Sequence, residues 1–278
     1  MKVGYMGVPG SYTEEAAVGY FKNEYELTGY PSFHDVVHRL ETKEIRYGIL
    51  AIENSSTGSV HQTLDLIREK NLYITGEAIQ KVEHYLMAVK GSKLSMIKKV
   101  ISHPQGLEQC GSYIRKNGWE IGTHVNTAAA AKEAAQKNDP YTAVIASKRA
   151  ASIYGLEILD EKIQDNNHNY TRFVVLSGTK EITEGADKIS LVFIVKNVPG
   201  SLYAAIQGFA ENGVNLIKLE SRPIWGEPWH YFFFMDLEGS LEDERIKRAL
   251  SYLEIHCKSY RILGNYKKAS FSMEVKNE

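Results

Sequence analysis

Asn169-Tyr170-Thr171-Arg172-Phe173 runs directly into Val174-Val175-Leu176, setting a hydroxyl beside a guanidinium at the head of an apolar strand. Strands alternate their faces, so Thr171 and Arg172 are expected on opposite sides. A neutral proton donor next to an always-charged carboxylate binder, both on a rigid element, suits a site for a small acid. The same residues also fit a plain strand edge with a surface Arg and a turn Thr. Taken alone, the pentapeptide fits that second description better.

Other donors gather where strands give way to helices. Gly10-Ser11 follows the first strand, Asn54-Ser55-Ser56-Thr57-Gly58-Ser59 the run ending at Glu53, His103-Pro104-Gln105-Gly106 the run ending at Ser102, and Asn126-Thr127 the run ending at Val125. Such turns present unpaired N–H groups and the positive end of a helix dipole, so they bind anions without a formal charge. In open α/β sheets they converge at the carboxyl ends of the strands. Helix capping alone accounts for a single Ser or Asn. The 54–59 run has more donors than one cap uses, which favours binding there. Glu53 fits pairing with a neighbouring Arg or amide better than catalysis. Of the nine histidines, only His103 and His168 sit near these loops, and neither is assigned chemistry.

Further on, Asn197-Val198-Pro199-Gly200-Ser201-Leu202 leads into a helix, and Glu220-Ser221-Arg222-Pro223 ends a strand. A helix N-terminus for a carboxylate and Glu220 for an amino group are the two demands of a free amino acid. A turn plus an edge strand fits these residues about as well.

Residues 2–5, 47–52, 99–102, 120–125, 143–147 and 172–176 read as short strands. Helices are expected over 11–21, opened by the capping box Ser11-Tyr12-Thr13-Glu14, and over 58–70, 104–116 and 127–137. This βαβα rhythm predicts helices on mostly parallel sheets. Residues 177–187, rich in Thr, Glu and Gly, read as a linker. After it, strands over 189–195, 214–220, 231–237 and 259–263 and helices over 201–212 and 242–253 give βαββαβ, the ferredoxin-like pattern.

Composition closes off several classes. The 278 residues suffice for two or three compact units. Lys plus Arg number 33 and Asp plus Glu 34, a balance that argues against a nucleic-acid partner. No apolar run approaches membrane-spanning length, so no membrane partner is expected. The chain goes straight into its first strand without a basic-then-apolar leader, and its two cysteines lie far apart. Cytoplasmic residence and no disulfide framework are therefore expected. Gly4, Gly7 and Gly10 lack dinucleotide-loop spacing, and no Walker, paired-Cys or HExxH sequence occurs. No metal and no cofactor are expected.

These motifs together resemble the prephenate dehydratase family. Gly7-Val8-Pro9-Gly10-Ser11-Tyr12-Thr13-Glu14 is similar to its opening glycine loop. Ala51-Ile52-Glu53-Asn54-Ser55-Ser56-Thr57-Gly58-Ser59-Val60 resembles its PIENSTEGxV segment, Ser102-His103-Pro104-Gln105 with Cys110 its SHPQALxQC segment, and Thr127-Ala128-Ala129-Ala130 its alanine helix. Asn169 to Phe173 matches its NxTRF motif. The tail resembles an ACT regulatory domain, with Gly200-Ser201-Leu202-Tyr203 for GALV and Glu220-Ser221-Arg222-Pro223 for ESRP. Ala51 stands for Pro, Ser56 for Thr, Thr57 for Glu and Ser201 for Ala.

The resemblance implies a two-lobed, periplasmic-binding-protein-like α/β catalytic region over 1–180 and a βαββαβ ACT domain over 188–268. One lobe would take about 1–77 and 160–180, the other about 78–159. It implies conversion of prephenate to phenylpyruvate, water and carbon dioxide in phenylalanine biosynthesis. Thr171 would be catalytic. Ser11, Asn54, Ser55, Ser56, Gln105, Thr127 and Arg172 would bind substrate, with support of Glu53 as another use for Arg172. L-Phenylalanine would act as feedback effector at Gly200, Ser201, Leu202, Glu220 and Ser221, in a homodimer or homotetramer. Arogenate dehydratase and a non-catalytic two-lobed amino-acid sensor are the competing readings.

Overall fold

Apolar runs too continuous for one-sided burial become the central strands of the first two of three sheets. The computed structural model describes residues 1–22, 24–181 and 183–270. The first stretch is β1 (Lys2–Met6), α1 (Tyr12–Phe21), β2 (Glu26–Tyr30), α2 (Phe33–Glu41), β3 (Tyr47–Asn54), β4 (Gly58–Ser59), α3 (His61–Glu69) and β5 (Tyr73–Lys81). Next come β6 (Tyr85–Ala88), β7 (Lys99–Ser102), α4 (Pro104–Gln109), α5 (Gly111–Asn117), β8 (Glu120–Thr123), α6 (Thr127–Lys137), β9 (Thr142–Ala146), α7 (Lys148–Tyr154), β10 (Glu157–Asp160) and β11 (Tyr170–Ser177). The tail is β12 (Lys188–Ile194), α8 (Ser201–Glu211), β13 (Leu216–Ile224), β14 (Glu227–Glu238), α9 (Glu244–His256) and β15 (Ser259–Tyr266).

The first sheet is ordered β2-β1-β3-β11-β5 and the second β10-β6-β9-β7-β8. The expected parallel pairing holds for β1 with β2 and β3, and for β7 with β8 and β9. It fails for β6, which runs antiparallel to β9 and β10. Two compact units divide the chain: Met1–Val60 with Ala78–Phe173, and His61–Glu77 with the chain from Val174 onward.

In the first unit, β6 and, after its first residue Thr142, β9 are buried at every position because both faces are covered. Met87, Val144 and Ala146 pack with Ala128, Ala130, Ala131 and Ala134 of α6. Leu86, Ala143 and Ile145 pack on the other face with Leu107, Cys110 and Ile114. Period-two alternation thus explains both layers.

Several sequence expectations need correction. The helix expected over 58–70 begins at His61, because Gly58 adopts φ +82° and Gly58–Ser59 instead pairs with the end of β3. The helix expected over 104–116 is broken at buried Cys110 into α4 and α5. The capping box is half formed. Ser11 Oγ accepts the Glu14 N–H at 3.2 Å, but the Ser11 N–H donates to the Val8 carbonyl and the Glu14 carboxylate turns elsewhere. Beyond the expected elements the structure adds β2, α2, β5, β6, α7 and β10. The expected linker lies between β11 and β12, and its Ile182 is outside the described residues.

In the second unit, β12 to β15 form an antiparallel sheet ordered β13-β14-β12-β15, as the βαββαβ pattern requires. Ile189, Leu191, Phe193, Met235 and Leu237 pack with α8 and α9. The alternate residues Lys188, Ser190, Phe232, Phe234 and Asp236 are also buried. Among them the Lys188 ammonium lies 2.7 Å from Glu77 and 3.6 Å from Asp236. Ser190 donates to Asp236 and meets the Tyr266 hydroxyl at 2.7 Å.

Candidate active site

A cavity of about 190 Å³ lies within the first unit, lined by the ends of strands and the starts of helices from both of its sheets. Thr171 and Phe173 of β11 both line it, as residues two apart on a strand should. Arg172 points the other way, with Nη2 and Nε 2.8 and 3.1 Å from Glu53 Oε2. Thr171, the expected catalytic residue, and Ser11, Asn54, Gln105 and Thr127 of the expected substrate residues come together on the cavity wall, while Ser55, Ser56 and Arg172 do not.

Asn54 organises this wall. Its amide nitrogen lies 3.0 Å from Thr171 Oγ1, 2.8 Å from Asn169 Oδ1 and 3.2 Å from the Tyr170 carbonyl. Its amide oxygen accepts the N–H groups of Ser56 and Thr57 at 3.0 and 3.2 Å and the Thr57 hydroxyl at 3.3 Å. Ser55 accepts the Tyr170 N–H at 2.9 Å and donates to the His168 carbonyl at 3.1 Å. The donor-rich 54–57 run therefore spends much of its capacity on its own shape and on β11. The Thr57 hydroxyl accepts from Gln105 at 3.1 Å. Because Thr171 Oγ1 is an acceptor for Asn54, its own proton is left to donate.

Helix starts supply further donors. Ser11 caps α1, and Tyr12 and Thr13 of its first turn line the cavity. Asn126 spends its side chain on the N–H groups of Ala128 and Ala129, leaving the Thr127 N–H at the start of α6. First-turn amides have no acceptor within the helix and carry its positive dipole end.

The lining contains no Lys, Arg, Asp or Glu. Burial pushes the His84 imidazole below its ordinary value, outweighing the Gln109 hydrogen bond, and burial does the same to His103. Both are neutral at neutral pH. His103 Nδ1 accepts the Gln105 N–H at 3.2 Å, so Nε2 carries its proton and is a donor. The Tyr12 hydroxyl lies 2.7 Å from the Glu83 carbonyl and 3.0 Å from His84 Nδ1, and His84 Nε2 lies 2.8 Å from the Gln109 amide. Cys110, between α4 and α5, is pushed up to about 12 by burial and by Asp165, so it is a thiol and not a nucleophile.

Tyr12, His84, Gln109 and His103 line the cavity in addition to the residues that the sequence points to. Gln109 had a usable signal, since it lies four residues after Gln105 on the same helix face. A larger cavity of about 440 Å³ surrounds Trp225 and Trp229 in the second unit. It gathers none of the expected residues, and its Arg222 is paired to Asp65 at 2.7 Å. Of the expected effector residues, Gly200 holds φ +81° at the start of α8, where the Ser201 hydroxyl donates to the Lys196 carbonyl at 2.5 Å. Glu220 on β13 meets His61 and Lys218, each at 3.1 Å. Among the described residues, no group of His, Cys, Asp and Glu has the makings of a metal site.

Comparison with known proteins agrees with this geometry. Residues 3–181 match the family model of prephenate dehydratase, and residues 189–254 that of the ACT domain. The chain is 37% identical over 270 residues to a bifunctional chorismate mutase/prephenate dehydratase of Aquifex aeolicus, covering 97% of this chain and 74% of that protein. A solved structure of GqqA, described as a novel type of quorum-quenching acylase, superposes with a TM-score of 0.89 at 31% identity, covering 97% of this chain and 98% of that one. The prephenate dehydratase of Arthrobacter aurescens in complex with L-Phe gives 0.87 at 31% identity, covering 96% and 90%. By these matches the chain belongs to the prephenate dehydratase family and carries a C-terminal ACT domain.

Proposed function

We propose that this chain converts prephenate to phenylpyruvate, with Thr171 as the hydrogen-bond donor to the departing oxygen. The observation that carries the assignment is an uncharged cavity in which the Asn54 amide occupies the acceptor side of Thr171 Oγ1. The ring carboxylate leaves as carbon dioxide, and its bonding pair completes the aromatic ring. The ring hydroxyl departs with its own pair and takes up a proton to become water. One proton is consumed and no redox partner is needed. Thr171 need only stabilise charge on the departing oxygen. The Tyr12, Thr13 and Thr127 amides hold carboxylate oxygens without presenting a cation. Loss of carbon dioxide neutralises a carboxylate, so a cavity lacking a cation does not favour the charged ground state.

Arogenate differs by an ammonium in place of the keto group. No carboxylate lines the cavity to receive it, which favours prephenate. An acylase needs an activated nucleophile. Here the Thr171 hydroxyl meets an amide rather than a histidine, and Cys110 is protonated. Incubating the protein separately with prephenate, arogenate and a long-chain N-acyl amide, and following aromatic product and released acid, tests all three. Faster turnover of arogenate or of the amide overturns the assignment.

The ACT domain supports L-phenylalanine as effector at Gly200, Ser201, Leu202, Glu220 and Ser221, completed by a second copy in a homodimer or homotetramer. A catalytic region over 1–180, with lobes at about 1–77 with 160–180 and at about 78–159, and a regulatory region over 188–268 fit this reading. Cytoplasmic residence suits a biosynthetic enzyme. No helix among the described residues is long and apolar enough to cross a membrane.

A further inference from the structure

Arg149 belongs to none of the motifs that point to the cavity. It lies on α7, and its guanidinium meets Glu14 at two points, with Nε 2.8 Å from Oε2 and Nη2 3.1 Å from Oε1. Glu14 is buried, and Oε2 also accepts the Gly10 N–H at 2.7 Å. Beside this contact the Ser147 hydroxyl donates to the Gly10 carbonyl at 2.8 Å and the Tyr154 hydroxyl to the Pro9 carbonyl at 2.7 Å. The loop from Pro9 to Ser11 is thus fastened to α7 and its cap. That loop opens α1, whose Ser11, Tyr12 and Thr13 line the cavity.

We infer that Arg149 is a positioning residue for substrate binding: acting through Glu14, it holds the start of α1 in the orientation that receives a substrate carboxylate. The α1 amides bind substrate and transition state alike, so loosening them raises KM and spares kcat. Titration gives a second signature. Burial works to raise the Glu14 carboxyl, but hydrogen bonds from Arg149 and Gly10 more than offset it and hold it below its ordinary value. The other ionisable groups around it are Glu15, raised by burial, and Tyr5 and Tyr154, raised by burial and neutral. With Arg149→Met, burial is opposed by the Gly10 N–H alone. The Glu14 carboxyl then takes up a proton in the range where the native one is ionised.

Steady-state kinetics of the full chain on prephenate, from about pH 5 to 8, test this. Arg149→Met should raise KM about tenfold with kcat nearly unchanged, and its KM should climb as pH falls while the native KM does not. Arg149→Lys, which keeps the charge but loses the two-point fork, should lie between them. If Arg149→Met fails to fold, the Lys variant carries the same comparison. A variant KM equal to the native one throughout, or a loss confined to kcat, overturns the inference. It rests on prephenate being the substrate. A native chain inactive on prephenate refutes that reading, whereas an active chain with an unshifted variant refutes only the role of Arg149.

Discussion

Thr171 lines the cavity while Arg172 turns to Glu53 on the opposite face of β11. Alternation along one strand was enough to separate Thr171 from Arg172, because it depends on nothing beyond the chain itself. Thr171→Val keeps the shape and removes the proton donor. It should lower kcat by about 10²–10⁴-fold, leave KM little changed, and be largely repaired by Thr171→Ser, as read by phenylpyruvate formation. Asn54 is expected to bind substrate, yet much of its amide is spent on Thr171, Asn169 and the 56–57 loop. That role was invisible because Asn169 and Thr171 are more than a hundred residues away. Tyr12, His84 and His103 were missed for the same reason. A lone aromatic or histidine gains meaning only from neighbours that tertiary structure supplies.

Helix starts carried most of the legible element-level signal. Ser11 and Asn126 cap α1 and α6 where expected, since a cap is written within four residues. The seven-residue α7 escaped notice because it is too short for a period to show. The cost of missing it is plain at Gly10. This residue adopts φ +85°, and a Cβ there would lie 2.8 Å from Ala150 Cα and 2.9 Å from its Cβ. Both obstacles are on α7 and cannot swing aside. Gly10→Ala should therefore cost about 1–3 kcal/mol in backbone strain and lower the thermal midpoint. It should also raise KM, because the displaced loop opens α1. An unchanged midpoint would show that the loop yields freely.

Over the whole molecule, catalysis and regulation are expected to separate. Glu220→Ala should weaken inhibition by L-phenylalanine and spare turnover without effector; equal loss of both would argue against a distinct regulatory site. Stability of the second unit turns on different residues. The Lys188 ammonium is almost wholly buried between Glu77, 2.7 Å away, and Asp236, 3.6 Å away. Nothing in the sequence announces this cluster, because a strand-initial Lys, a strand-internal Glu and an Asp in an aromatic run each read as surface residues. Glu77 lies on β5, and the chain from it reaches Val82 on the cavity wall five residues later. Lys188→Met would leave two carboxylates buried without their shared cation, at a cost of about 3–5 kcal/mol. Pairing it with Glu77→Gln removes one of those charges as well, so the double variant should be more stable than Lys188→Met alone. Urea denaturation of the four members of this cycle measures the coupling. Additive effects would mean that the ammonium and the Glu77 carboxylate do not stabilise one another.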